Sequence, residues 1–259
     1  MNSKIRNILI AAFAVLLLAV TVTSYVMGVE KDRKLVCKQL NIIVLDSTEN
    51  KFVQPGDIKA CIDKEYGSYL GEPLDSIDLA RIESIIDNKS AVYKSQAYIT
   101  PDGTLNVSLR QRQPVVRFQS AKGGFYADKD GYLFPLQPSY ASNVQVIDGD
   151  IPFANVSDNR NEISDPKARK WFGQVIQLIN YLEDSRLWKG KISQIHAEKD
   201  GSLILIPLEG NEKFLFGPPV SIEDKMTKME KYYTHILPQK GRYRKVDLRF
   251  EKQIVCSNN

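Results

Sequence analysis

"SIDLARIESIIDNKSAVYKSQAYITPDGTLNVSLRQRQP", from Ser76 to Pro114, decides the architecture of the first half of this 259-residue chain. Asp78 stands where a helix N-cap belongs, and Ile82, Ile85 and Ile86 follow at helical spacing. After Asn88 the apolar period falls from about 3.6 to 2. "AVYKSQAYI" and "TLNVSLRQ" then alternate on either side of Pro101–Gly103, a turn signal between two strands. The stretch therefore predicts a helix followed by a β-hairpin. Upstream, "KQLNIIVLDS" reads as a strand. "QPGDIKACIDKEYG" reads as a short helix with Ile58, Cys61 and Ile62 on one face and Gly67 just past its end. The expected order is β-α-α-β-β over residues 35–114.

A second unit is expected over 115–256. "GGFYADKDGYLFPL" is a hairpin turning at Asp130 and Gly131, with turn chemistry explaining Asp128 and Asp130, and "NVQVIDG" is a short strand. A long helix starts at Asp165 as cap with Pro166 in its first position; its stripe is Trp171, Phe172, Val175, Ile176, Ile179 and Leu182. Strands follow at "ISQIHAE", "SLILIPL" and "EKFLFG". The helix "SIEDKMTKMEKYYTHILP" offers a capping box of Ser221 with Asp224 and a core face of Met226, Met229, Tyr233, Ile236 and Leu237. The fold class is α+β, the second unit being a mainly antiparallel β domain with two flanking helices.

The last strand, within "RYRKVDLRFEKQIVC" (Arg242–Cys256), alternates without a break. Val246, Leu248 and Phe250 are expected inside, with Lys245, Asp247, Arg249 and Glu251 in water. Charges along an edge strand either block unwanted pairing or flank a surface that accepts a partner strand.

At the other end, Lys4 and Arg6 precede an uncharged stretch from Asn7 to Val29. Roughly 20 apolar residues at 1.5 Å rise cross about 30 Å of hydrocarbon. An uncleaved transmembrane helix over 8–29 is expected, with residues 1–7 as a cytoplasmic tail and the remainder exported. The competing reading is a cleaved signal peptide with Val22–Ser24 at the cleavage site.

The charge of +4 is small and dispersed, which argues against nucleic acid. Three cysteines, Cys37, Cys61 and Cys256, form no CxxC; either Cys37 pairs with Cys61 or all three are buried thiols. His196 and His235, the only histidines, have no Cys or His at metal-ligand spacing, and no nucleophile, phosphate-loop or zinc motif is present. No enzyme activity, cofactor or small-molecule substrate is expected. Arg110, Arg112 and Arg117 are expected on the wet face of a strand and its linker.

The ordered set "LDSIDLARIESIID", "LRQRQPVVRF", "FYADKDGYLFPL" and "YRKVDLRFEKQIVC" resembles the FtsQ/DivIB family of bacterial cell-division proteins, over almost the whole chain. Arg112 and Pro114 fit the family pattern at the junction, where Gln111 replaces the usual acid. The resemblance implies a membrane anchor, a POTRA domain at 35–114, a β-rich domain at 115–256 and a tail at 257–259. It implies a non-enzymatic division scaffold in the cytoplasmic membrane, enriched at the septum, with FtsB- and FtsL-like coiled-coil membrane proteins as partners. It further implies that the FtsB-like partner adds to the last strand, placing partner binding on Lys245, Asp247, Arg249, Phe250, Glu251 and Lys252. The alternative is a POTRA-containing outer-membrane assembly or translocation factor. No series of amphipathic transmembrane strands accompanies the unit, as that reading would require.

Overall fold

The structure, a computed structural model, describes residues 12–24, 35–48, 51–121, 123–138, 140–153 and 162–258. The chain divides into two compact units, Met1–Glu49 with Val53–Gln111, and Asn50–Phe52 with Arg112–Asn259.

In the first unit the order is β1 (Gln39–Val44), α1 (Pro55–Glu65), α2 (Leu79–Asp87), β2 (Val92–Ile99) and β3 (Thr104–Gln111). The sheet order is β1-β3-β2, with β1 parallel to β3 and β2 antiparallel to it. A parallel pair needs a long crossover, and the two helices supply it. Asp78 caps α2 by accepting from the Arg81 N–H at 2.9 Å. Ile58 and Ile62 of α1, Ile82 and Ile86 of α2, and Leu105, Val107 and Leu109 of β3 are all buried. Truncating one of these isoleucines to Ala removes buried apolar volume worth about 2–5 kcal/mol. The β2–β3 turn needs Gly103, at φ 90°, because a Cβ there would lie 2.6 Å from the Val36 carbonyl oxygen.

Gln111 closes this unit from inside. Its backbone N–H donates to Asp46 Oδ2 at 2.9 Å, its side-chain Nε2 donates to Asp46 Oδ1 at 3.2 Å, and its Oε1 accepts from the Val53 N–H at 2.8 Å. An amide can donate and accept at once, whereas a carboxylate only accepts. The departure from the family's acid thus has a local partner in Asp46.

Among the described residues the second unit carries a nine-stranded sheet in the order β12-β11-β10-β9-β8-β7-β4-β5-β6. Its strands are β4 (Pro114–Ser120), β5 (Gly123–Asp128), β6 (Leu133–Pro135), β7 (Gln145–Gly149), β8 (Ile192–Ala197), β9 (Leu203–Pro207), β10 (Lys213–Gly217), β11 (Lys245–Asp247) and β12 (Val255–Ser257). The sheet is more mixed than expected: β4·β7, β7·β8 and β10·β11 are parallel. α3 (Pro166–Asp184) and α4 (Ile222–Lys231) supply the crossovers before β8 and β11. Asp165 caps α3 through the Ala168 N–H at 2.7 Å. The α3 face buries Leu178 in addition to the predicted stripe, with Ile176 only partly covered.

Two expectations fail in the α4 region. Ser221 forms no side-chain cap, because it sits in the left-handed region at φ 53°, ψ 45°, not in the extended backbone an N-cap requires. The inward aromatic is Tyr232, with Tyr233 only partly covered. A π-turn over Tyr232–Ile236, followed by α5 (Leu237–Lys240), inserts extra backbone per turn and re-aims the face.

Arg112 also departs from expectation. Its Nη1 donates to Asp128 Oδ2 at 2.8 Å, and its guanidinium lies 3.3 Å from the Tyr132 ring centroid. Asp128 Oδ1 meanwhile accepts from the N–H groups of Asp130 and Tyr132. The arginine is a half-buried strut of the β5–β6 hairpin, not part of a wet face; Arg117 is likewise half-buried, whereas Arg110 is exposed.

Residues 12–24 are helical and exposed throughout. Thr21 and Thr23 donate their hydroxyls back to the carbonyls of Leu18 and Ala19. Among the described residues no helix is long and apolar enough to cross a membrane. The ends of the expected 8–29 span, 8–11 and 25–29, lie outside the described residues, as do residues 1–7.

Candidate partner-binding edge

The alternation of the last strand is cut short in the folded protein. β11 covers only Lys245–Asp247 and pairs in parallel with β10, Phe214 facing Val246 and Leu215 facing Asp247. One more bond, Leu248 N–H to Leu215 O at 3.1 Å, extends the contact. The chain then turns and returns as β12, antiparallel to β11, with Val246 opposite Cys256. β11 is therefore paired on both sides, and the end of the sheet is β12.

Asp247 makes that turn. Its Oδ1 accepts from the N–H of Arg249 two residues on, an Asx-type bond that draws the backbone out of the strand. The same carboxylate receives Arg249 Nε at 2.9 Å and Nη2 at 2.6 Å. Gly217 leaves room for the arginine stem, since a Cβ there would approach Arg249 Cγ to 2.8 Å. Burial pushes the Asp247 carboxyl up, but the hydrogen bonds from Arg249 outweigh it and hold it below the usual aspartate value. Arg249 is held correspondingly high, first by its bond to Asp247.

A lysine from α4 completes the support. Lys228 Nζ donates to Asp224 Oδ2 at 2.6 Å, to Phe250 O at 2.9 Å and, at the long limit of 3.5 Å, to Leu248 O. Its side chain is 8% exposed, so the ammonium is desolvated and needs these acceptors. Beside it, Lys225 donates to Pro218 O at 2.7 Å, and burial lowers its pKa.

The predicted site residues thus separate. Asp247 and Arg249 come together, with Asp247 buried instead of wet. Lys245 stays exposed on β11, and Glu251 and Lys252 are exposed in the turn, Lys252 at φ 57°. Phe250, expected inside, is 45% exposed because the Asx-type turn breaks the period two residues earlier. Val246 and Leu248 are fully buried as expected. Sequence reading missed Lys228 and β12. Lysines flanking the Met226/Met229 stripe were an available signal, because an apolar helix face that includes lysines implies acceptors nearby. The outer strand, Val255–Cys256–Ser257, carries no charge, and Val255 is 44% exposed. The charge that blunts most sheet edges is absent here; the strand's shortness remains.

Elsewhere, His196 Nδ1 lies 2.8 Å from Asp148 Oδ1, whose other oxygen accepts from Gln194 Nε2. His235 is bound to the Thr234 hydroxyl. The three cysteines are free thiols, Cys37 and Cys61 buried. Among the described residues no group of three or more His, Cys, Asp or Glu is placed to hold a metal ion.

The family model described as FtsQ/DivIB, C-terminal related, matches residues 113–257, more than half of the chain. A POTRA-like domain model matches residues 35–110. No curated protein matches the chain.

Proposed function

Because this chain belongs to the FtsQ/DivIB, C-terminal related family, a family of cell-division proteins, we propose that it is a bacterial division scaffold that gathers septal membrane proteins on its exported units. The proposed docking point is the β12 edge together with Phe250 and the Arg249 side chain, and the proposed partner is an FtsB-like membrane protein that adds a strand there, with an FtsL-like chain alongside. The observation that carries this reading is an uncharged strand, Val255–Ser257, at the end of a nine-stranded sheet. Strand addition draws affinity from backbone bonds and specificity from flanking side chains. Arg249 and Phe250 stand in the turn beside that edge, both exposed. Recruitment of this kind asks for exposed surfaces. The exposed apolar helix at 12–24 supports a membrane anchor over 8–29, with the N-terminus in the cytoplasm and both units outside.

The test is the affinity of the folded protein for the FtsB-like partner after Val255→Glu. The side chain is 44% exposed but stands opposite Asp247, so amide exchange over 245–257 first checks that the hairpin persists; a buried charge would then enter the new pairing. A loss of about 1–3 kcal/mol is expected. Unchanged affinity would move the docking point elsewhere. Depletion should give filamentous, undivided cells; defective outer-membrane assembly with normal division would instead favour the assembly-factor reading.

A further inference from the structure

Away from the β12 edge, the second unit contains a surface cavity of about 230 Å³ walled by Leu187, Trp188, Pro207 and Tyr233. Its polar lining includes Lys191, Glu209 and Glu230. The Trp188 and Tyr233 rings lie 6.0 Å apart with planes at 54°. Tyr233 is held in place by Phe214 and Tyr232 behind it, at 5.7 and 5.4 Å.

We propose that this cavity receives the cationic end of an arginine or lysine side chain carried by a partner polypeptide. Three observations choose that occupant. Trp188 and Tyr233 both line the cavity, and a cation seated against the face of either ring is favoured by its quadrupole. The charges agree: Lys191 lies 4.0 Å from Glu209, whereas Glu230 forms no ion pair among the described residues, leaving one negative charge at the site. The size agrees as well. Small-molecule pockets usually run to about 300–1,000 Å³, so this cavity suits a single long side chain better than a free metabolite. The Tyr233 phenol is raised, first by burial and then by Glu212, the neighbouring Tyr232 and Glu209, with Arg242 opposing, which fits a negative local field. The inference stands apart from the β12 edge: it would survive if no strand added there.

The chain has two tryptophans, and Trp171 is buried with its Nε1–H on Gly201 O. Fluorine NMR of the full-length chain labelled with 5-fluorotryptophan therefore gives one reporter for the cavity, identified by its disappearance in Trp188→Phe. The probes are N-acetyl-arginine amide, its neutral citrulline isostere and N-acetyl-leucine amide. The expected result is a saturable shift of the Trp188 signal with arginine, roughly 2- to 30-fold tighter than with citrulline. Glu230→Gln, an exposed change that keeps the fold, should shrink that preference. Equal or tighter binding of citrulline or leucine would overturn the proposal. So would an unmoved signal with all three probes, or a signal that moves with protein concentration alone, which would make the cavity a contact between copies.

Discussion

The guanidinium of Arg249 closes on the carboxylate of Asp247 with two hydrogen bonds, while the backbone N–H of Arg249 donates to the same oxygen that receives its Nε. A single carboxylate thus sets both the chain direction after β11 and the pose of the arginine. Charge reversal at this position cannot be neutral for the fold.

Arg249→Glu is expected to destabilise the β11–β12 hairpin by about 1–3 kcal/mol, because it strips a nearly buried carboxylate of its side-chain partner and adds a like charge. Amide hydrogen exchange over 245–257 would measure it. Arg249→Gln, which keeps a donor, should cost less. An edge-binding measurement with Arg249→Glu therefore needs that control, and so does Val255→Glu, because residue 255 stands opposite Asp247 across the β11–β12 pair.

The hairpin should also respond to acid. The folded Asp247 carboxyl lies below its ordinary value, so the folded state binds a proton there less readily than the unfolded chain. Its contribution is complete above about pH 4, the free aspartate value, and is lost as pH falls through the lower folded value. Protection of the 248–257 amides should fall in that window in the parent protein. In Asp247→Asn the same step should be absent.

Lys228→Met should loosen the turn from the opposite side. The methionine fills much of the same volume but leaves the carbonyls of Leu248 and Phe250 without the lysine, which costs about 1–3 kcal/mol for groups removed from water. Exchange should quicken over 248–257 ahead of the rest of the sheet. Uniform destabilisation across both units would show that Lys228 is not specific to the turn.

In the first unit, Gln111→Glu would set a second carboxylate against Asp46 and remove the donor that Asp46 now uses. A loss of about 1–3 kcal/mol at neutral pH is expected, partly recovered on acidification as one of the pair takes a proton. A fragment spanning 35–112 is the proper sample, and a cooperative thermal transition is expected for it. A fragment continuing to Phe118 carries Val116 and Phe118, which the β4 strand buries in the other unit's core. Absence of a transition in 35–112 would mean that this unit does not fold alone.

Much of this architecture was legible in the residues. Asp78 and Asp165 carry a cap signal in the sequence and serve as caps, because a cap is a contact between residues a few positions apart. The isoleucine stripe of α2 and the Pro101–Gly103 turn signal are equally local, although the close approach of Val36 to Gly103 is not. The candidate edge was only half legible. Val246 and Leu248 obey the alternation, but Phe250 does not, and nothing in period two distinguishes them.

The sequence by itself determined most of the order of elements and most of the buried faces, since helix and strand periods are written in neighbouring side chains. It also set the residue types from which an edge could be built. Tertiary structure alone decided that the edge is Val255–Ser257 and not the charged run before it. That choice depends on Asp247 turning the chain, on Gly217 making room for Arg249 and on Lys228 holding carbonyls 20 and 22 residues away. Such contacts join distant positions, so only the folded chain brings them together.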